Sequence, residues 1–155
     1  MKSASMLEQP RARPNIDDNG NNYGGSSALS VLVVDDEPDT TRVIKMGLEK
    51  EGFEVDIYND PEEALKLFSA DTYDFLLLDV KMPKMDGIEL YEKLRKMDDI
   101  ARVYFVTATD RYSNLVNERY PNWNGNCIIV KPVSTRTIAS LLRKDYLQGI
   151  PFVPY

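Results

Sequence analysis

From Leu29 onward, short apolar runs alternate with amphipathic stretches. Ser30 to Val34 (SVLVV) is apolar and β-branched and gives way to acids. Such a run, bounded by polar residues, predicts a strand. Pro38 to Lys50 then predicts a helix with Val43, Ile44, Gly47 and Leu48 on one face. A proline suits its first turn, and Gly52 is placed to end it. Phe53 to Tyr58 alternates as a second strand. Asp60-Pro61-Glu62-Glu63 opens the next helix, with an Asp cap, a first-turn proline and a Glu three residues after the cap. Ala64, Leu65 and Phe68 form its apolar face. Phe75 to Leu78 (FLLL) predicts a third strand, ending at Asp79. Asp86 to Lys96 predicts a third helix carrying Ile88, Leu90, Tyr91 and Leu94. Val103 to Val106 predicts a fourth strand, and Asn114 to Tyr120 a helix of weak amphipathicity. Cys127 to Val130 (CIIV) predicts a fifth strand. Ser134 caps a last helix carrying Ile138, Leu141 and Leu142.

Strands and helices therefore alternate, and apart from the alternating second one the strands are short and apolar throughout. That pattern suits a parallel sheet covered on both sides. Right-handed crossovers leave few topologies. The expected fold is α/β: a flavodoxin-like three-layer (βα)5 sandwich, with a five-stranded parallel sheet in the order 2-1-3-4-5. The expected domain spans residues 29–148. Residues 1–28 read as a disordered N-terminal tail. The stretch from Pro10 to Ser27 combines prolines, a cluster of Asn and Asp, and Gly24-Gly25-Ser26-Ser27, with too little apolar surface to offset ordering entropy. Residues 149–155 read as a short C-terminal tail.

Composition narrows the chemistry. The 155 residues suit one domain with a sizeable core. There is no histidine and one cysteine, Cys127, so an internal disulfide, zinc, haem and His-based catalysis are not expected. Cys127 opens an apolar run and is expected to be buried in the core. The net charge of −6 speaks against a broad nucleic-acid footprint and direct DNA binding. No run approaches the ~20 apolar residues of a membrane span, and no signal-peptide pattern opens the chain. The expected location is cytoplasmic.

The carboxyl ends of the predicted strands are where such sheets place their sites. Strand one ends in Asp35-Asp36-Glu37, strand three in Asp79, strand four in Thr107-Ala108, and strand five in Lys131-Pro132. Taken singly, each has a plainer reading: a solvated loop before a helix, a strand-end acid, a loop lysine. Together, each on a different strand, they describe one cleft. Two like charges ~4 Å apart repel by roughly 4 kcal/mol at an effective dielectric of 20, so the acids call for a cation. Mg²⁺, with oxygen ligands and few protein donors, fits. A carboxylate nucleophile, a metal, a lysine and a hydroxyl are the parts phosphoryl transfer uses.

The same residues resemble the response-regulator receiver family of two-component signalling, in its stand-alone form. VLVVDDEP is similar to its first strand and acidic pair, LLLDVKMPKMDGIEL to its phosphorylation segment, FVTA to its hydroxyl-bearing strand end, and IIVKPV to its lysine-proline end. The resemblance covers Leu29 to about Tyr146. It implies that Asp79 is the phosphoacceptor and also a metal ligand. It further implies that Asp36 ligates Mg²⁺ directly, Asp35 acts mainly through metal-bound water, and the backbone carbonyl of Lys81 is a further ligand. Thr107 and the Ala108 N–H would bind phosphoryl oxygens, and Lys131 would pair with the phosphoryl group, with Lys131-Pro132 often cis in the family. Lys81 and Thr109 would flank the path of attacking water. A histidine kinase would supply the phosphoryl group, and an unknown downstream protein would read it. The domain would catalyse its own phosphotransfer and dephosphorylation rather than act as an enzyme on other substrates. With room after Lys131 for one helix and a short end, no effector domain is expected.

The sequence departs from the family in one region. Ile128 stands where the family has an aromatic that swings inward on phosphorylation, and WNGNC replaces a small Gly-Ala pair. One alternative is therefore a receiver-like binding module that switches without phosphate. Another, a Mg²⁺-dependent phosphatase with an Asp nucleophile, would place an acid two residues after Asp79, where Lys81 stands.

Overall fold

The computed structural model describes residues 28–108, 110–123 and 127–148, together with Asp17. The expected N-terminal tail (Asp17 and Ala28 apart), the C-terminal tail, Thr109 and the middle of WNGNC lie outside the described residues. Within them the order is β1 (Ser30–Val34), α1 (Pro38–Lys50), β2 (Glu54–Tyr58), α2 (Pro61–Leu67), β3 (Phe75–Asp79), α3 (Gly87–Arg95), β4 (Arg102–Thr107), α4 (Asp110–Arg119), β5 (Ile128–Val130) and α5 (Thr135–Gln148), with a 3-10 turn at Pro121–Trp123. All pairings are parallel and the sheet runs β2-β1-β3-β4-β5, the expected flavodoxin-like order. No helix among the described residues is long and apolar enough to cross a membrane.

The unbroken apolar runs are explained by two cores, one on each face of the sheet. Leu32, Val34, Leu76, Leu78, Val103 and Phe105 point toward Ala64, Phe68, Leu90, Tyr91, Leu94 and Val116 of the α2–α4 side. Their alternates Val31, Val33, Phe75, Leu77, Tyr104, Val106 and Ile129 meet Ile44, Leu48, Ile138, Ala139 and Leu142 of α1 and α5. Both sets are buried, so period-two alternation separates two cores rather than core from solvent.

Local signals act as expected at most helix ends. Asp60 accepts from the Glu62 N–H at 2.9 Å, Asp86 caps α3 through the Glu89 N–H at 2.8 Å, and Ser134 Oγ accepts from the Thr137 N–H at 3.1 Å. Gly52 follows α1 at φ +90°, a left-handed conformation that favours glycine.

The helical faces differ from expectation at two positions. Val43 is 62% exposed, because the buried stripe of α1 is Thr41, Ile44 and Leu48. Val43 precedes Ile44 by one residue, about 100° around the helix, and so falls outside the stripe. Leu141 is likewise exposed, and Ala139 takes its place beside Ile138 and Leu142. Gly47 serves close approach: a Cβ there would lie 2.2 Å from Thr135 Oγ1, so α1 and the start of α5 touch without a side chain between them. Helix α4 starts at Asp110, four residues before the sequence pattern suggests. Cys127 is buried as expected, and burial pushes its thiol up to about 12.

Candidate functional site

Parallel register brings the strand ends level. Val34 pairs with Leu78, Asp79 with Val106, and Thr107 with Val130. Asp35, Asp79, Thr107 and Lys131 therefore stand within one residue of the same edge. Oxygens of Asp35, Asp36 and Asp79 all lie within 4.8 Å of one another. The Lys131 ammonium donates to Asp35 Oδ2 at 2.8 Å and lies 4.0 Å from Asp79 Oδ2. The Lys131 N–H donates to the Thr107 carbonyl at 2.8 Å, which fixes the root of the lysine on β4. The Lys131–Pro132 peptide is cis.

Each acid has a different setting. Asp35 is 2% exposed. Its Oδ1 accepts from the Glu37 N–H at 2.9 Å, and its own N–H donates to the Tyr58 carbonyl at 3.2 Å. Asp36 is partly exposed. The side chain of Asp79 is 12% exposed. Burial, then the charge of Asp35, with a smaller contribution from Asp36, pushes its carboxyl up to about 6; Lys131 and the Lys81 N–H oppose the rise. Burial works against the charge of Lys131, but the hydrogen bond it donates to Asp35 and the charges of Asp79, Asp35 and Glu37 outweigh it and leave its pKa raised.

Three carboxylates faced by one ammonium leave a local excess of negative charge. The donor set is all oxygen, which suits a hard divalent cation. No nitrogen or sulfur ligand lies among these acids, so a softer metal is not favoured. The residues present fit Mg²⁺.

Helix α3 begins directly against the end of β3. A Cβ on Gly87 would lie 2.0 Å from the Asp79 carbonyl oxygen, and the Gly87 N–H donates to the Val80 carbonyl at 2.9 Å. Only a glycine permits this approach, which accounts for the Asp86-Gly87 pair: one caps the helix and the other lets it dock.

The structure thus brings together Asp35, Asp36, Asp79 and Lys131. Thr107, 1% exposed, and Ala108, exposed, end the neighbouring strand. Lys81 directs its N–H toward Asp79, with an exposed side chain. Ile128 stands apart, paired with Phe105 and half-buried against the α2–α4 core. Sequence reasoning missed Asn59. Its amide donates to the Asp35 carbonyl at 2.8 Å and to Thr41 Oγ1 at 2.9 Å. An asparagine before a cap reads as an ordinary loop residue, and nothing in its spacing marks it.

Comparison with known proteins agrees with the fold. Residues 31–143 match the family model of the response regulator receiver domain. The chain belongs to this family. The transcriptional regulatory protein TrcR of Mycobacterium tuberculosis is 33% identical over 117 residues, which cover 76% of this chain and 45% of the relative. The alkaline phosphatase synthesis transcriptional regulatory protein PhoP of Bacillus subtilis is 39% identical over 80 residues, or 52% of this chain and 33% of the relative. The chain spans about half the length, or less, of these curated relatives. Among solved structures, the response regulator TrrA of Thermotoga maritima in complex with Mg²⁺-BeF superposes with a TM-score of 0.63 at 33% identity, covering 75% of this chain and 97% of that one. A receiver domain protein from Clostridium thermocellum gives a TM-score of 0.64 at 25% identity, covering 77% and 98%.

Proposed function

We propose that this receiver domain takes a phosphoryl group from a histidine kinase onto Asp79, with Mg²⁺ bound, and signals through protein contacts or onward phosphotransfer. The observation that carries the reading is the convergence of Asp35, Asp36 and Asp79 within 4.8 Å, with Lys131 against two of them. An Asp79 oxygen attacks phosphorus in line with the phosphohistidine nitrogen. The new O–P bond forms as the N–P bond breaks, and the electron pair stays on the imidazole, which then takes a proton. Lys131, Thr107 and the Ala108 N–H bind the phosphoryl oxygens as charge redistributes over them. Asp36 and Asp79 would hold the metal directly, Asp35 mainly through water, and the Lys81 carbonyl would be a further ligand. Mg²⁺, when bound, offsets the charge of the acids and of the phosphoryl oxygens. In the later hydrolysis, water attacks phosphorus, the Asp79 O–P bond breaks, and inorganic phosphate and the Asp79 carboxylate are released.

The relative TrrA, solved with Mg²⁺-BeF, supports the choice of metal. The net charge of −6 supports output through protein surfaces rather than DNA contact by this domain. The test is incubation with acetyl phosphate, with Mg²⁺ or with EDTA, followed by intact mass measurement. One added phosphoryl group only when Mg²⁺ is present agrees with the proposal. No addition under either condition favours a module that switches without phosphate.

A further inference from the structure

We infer that Asn59 is a positioning residue for the acidic pair, setting metal affinity through the turn that presents Asp36. The inference rests on the proposed function, because it assigns Asp36 to the metal.

Asp36 lies between the end of β1 and the first turn of α1. The direction of its side chain depends on the peptide that joins it to Asp35. That peptide sits where the sheet ladder runs out. The Asp35 N–H still finds the Tyr58 carbonyl at 3.2 Å, but at Asp60 the partner chain turns to cap α2. The Asn59 side chain supplies the next bond instead, donating Nδ2–H to the Asp35 carbonyl at 2.8 Å. The same nitrogen donates to Thr41 Oγ1 at 2.9 Å, and Thr41 Oγ1 donates in turn to the Pro38 carbonyl at 3.0 Å. Thr41 is fully buried, so this anchor does not move with solvent.

One amide therefore grips the chain on both sides of Asp36, at the residue before it and in the first turn of the helix after it. Both acceptors belong to the β1–α1 junction. On the other carboxylate of the pair, Glu37 and Lys131 already hold both oxygens of Asp35, so Asp36 is the member whose placement the junction itself must set. Partners that orient metal ligands from outside typically change affinity by about 10–100-fold when removed.

The test is calorimetric titration of the full chain with Mg²⁺, alongside melting and acetyl phosphate labelling. Asn59→Ala is expected to weaken Mg²⁺ by about tenfold and to recover labelling when Mg²⁺ is raised to saturation. Thr41→Val, which removes one of the two acceptors, is expected to weaken it less. In an Asp36→Ala background, Asn59→Ala should change the residual affinity by less than about twofold, since coupled residues are non-additive. Unchanged Mg²⁺ affinity in Asn59→Ala, with or without a lower melting temperature, would overturn the inference. So would an equal loss in both backgrounds, which would show that Asn59 does not act through Asp36. If Asp36→Ala bound Mg²⁺ as wild type does, the metal assignment would be at fault and this inference would fall with it.

Discussion

The Lys131 ammonium lies 2.8 Å from Asp35 Oδ2 but 4.0 Å from Asp79 Oδ2. The lysine is therefore held by Asp35, a proposed metal ligand, and only leans on the proposed acceptor. This gives Lys131 two opposed effects. It partly neutralises the acids that would bind a cation, and it is in place to meet a phosphoryl group on Asp79. Lys131→Ala should tighten Mg²⁺ by about threefold to tenfold, a small share of the Coulomb energy at this range because the site is partly solvated, while slowing labelling by tenfold or more. Calorimetry and a labelling time course on one protein sample check both signs. Weaker Mg²⁺ binding in the variant would contradict the charge account.

The proposed acceptor is a destabilising charge in the metal-free domain. Its carboxyl rises from an ordinary 3.8 to about 6, which corresponds to roughly 3 kcal/mol at about 1.4 kcal/mol per pH unit. The sign follows from which state holds the proton. Below pH 3.8 the carboxyl is neutral in both folded and unfolded chains. Between there and pH 6 the unfolded chain releases the proton first, so stability falls as pH rises. Asp79→Asn should therefore be more stable than wild type at pH 7 in EDTA, by about 1–3 kcal/mol. The gap should close toward pH 4 and shrink when Mg²⁺ is added, since the ion binds the folded state. Denaturant melts at the two pH values test this.

Gly87→Ala should damage both fold and site. The added methyl would meet the Asp79 carbonyl oxygen at 2.0 Å, so α3 or the end of β3 must shift. Overpacking of this kind costs about 1–3 kcal/mol or more. A lower melting temperature together with slower labelling is expected, and a variant that labels at the wild-type rate would show that the docking of α3 does not position Asp79.

Ile128→Ala should behave as a packing change. Ile128 is half-buried and pairs with Phe105, so the cost should be about 1–2 kcal/mol, below the 2–5 kcal/mol of a fully buried residue. Labelling of Asp79 should stay near wild type. The aromatic contacts nearby belong to other residues: Tyr91 stacks edge-on with both Phe105 and Tyr120, and the Tyr120 hydroxyl donates to Glu92 Oε1 at 3.1 Å. Melting and labelling of Ile128→Ala and Tyr120→Phe side by side will show whether α4 is held more by the tyrosine than by the isoleucine. A marked loss of labelling in Ile128→Ala would contradict the packing role.

The layout of the sheet was legible because two local facts suffice for it: apolar runs with few polar alternates outside β2, and caps such as Asp60 and Asp86 that hydrogen-bond to their own helices. The clustering of Asp35, Asp36, Asp79 and Lys131 followed from strand order, since parallel register puts strand ends side by side. What escaped was set by tertiary contact. Val43 and Leu141 are apolar and at plausible spacing, but the faces of α1 and α5 that are buried carry Thr41 and Ala139 instead. Asn59 carries no pattern at all. Its role exists only because β1, β2 and α1 meet at the Asp35 carbonyl.

The central claim is that Asp79 is the residue phosphorylated. The direct measurement is intact mass after treatment with acetyl phosphate and Mg²⁺, on wild type and on Asp79→Asn, which keeps the shape and removes the nucleophile. The account predicts one added phosphoryl group on wild type and none on the variant. Equal labelling of the two proteins would contradict it.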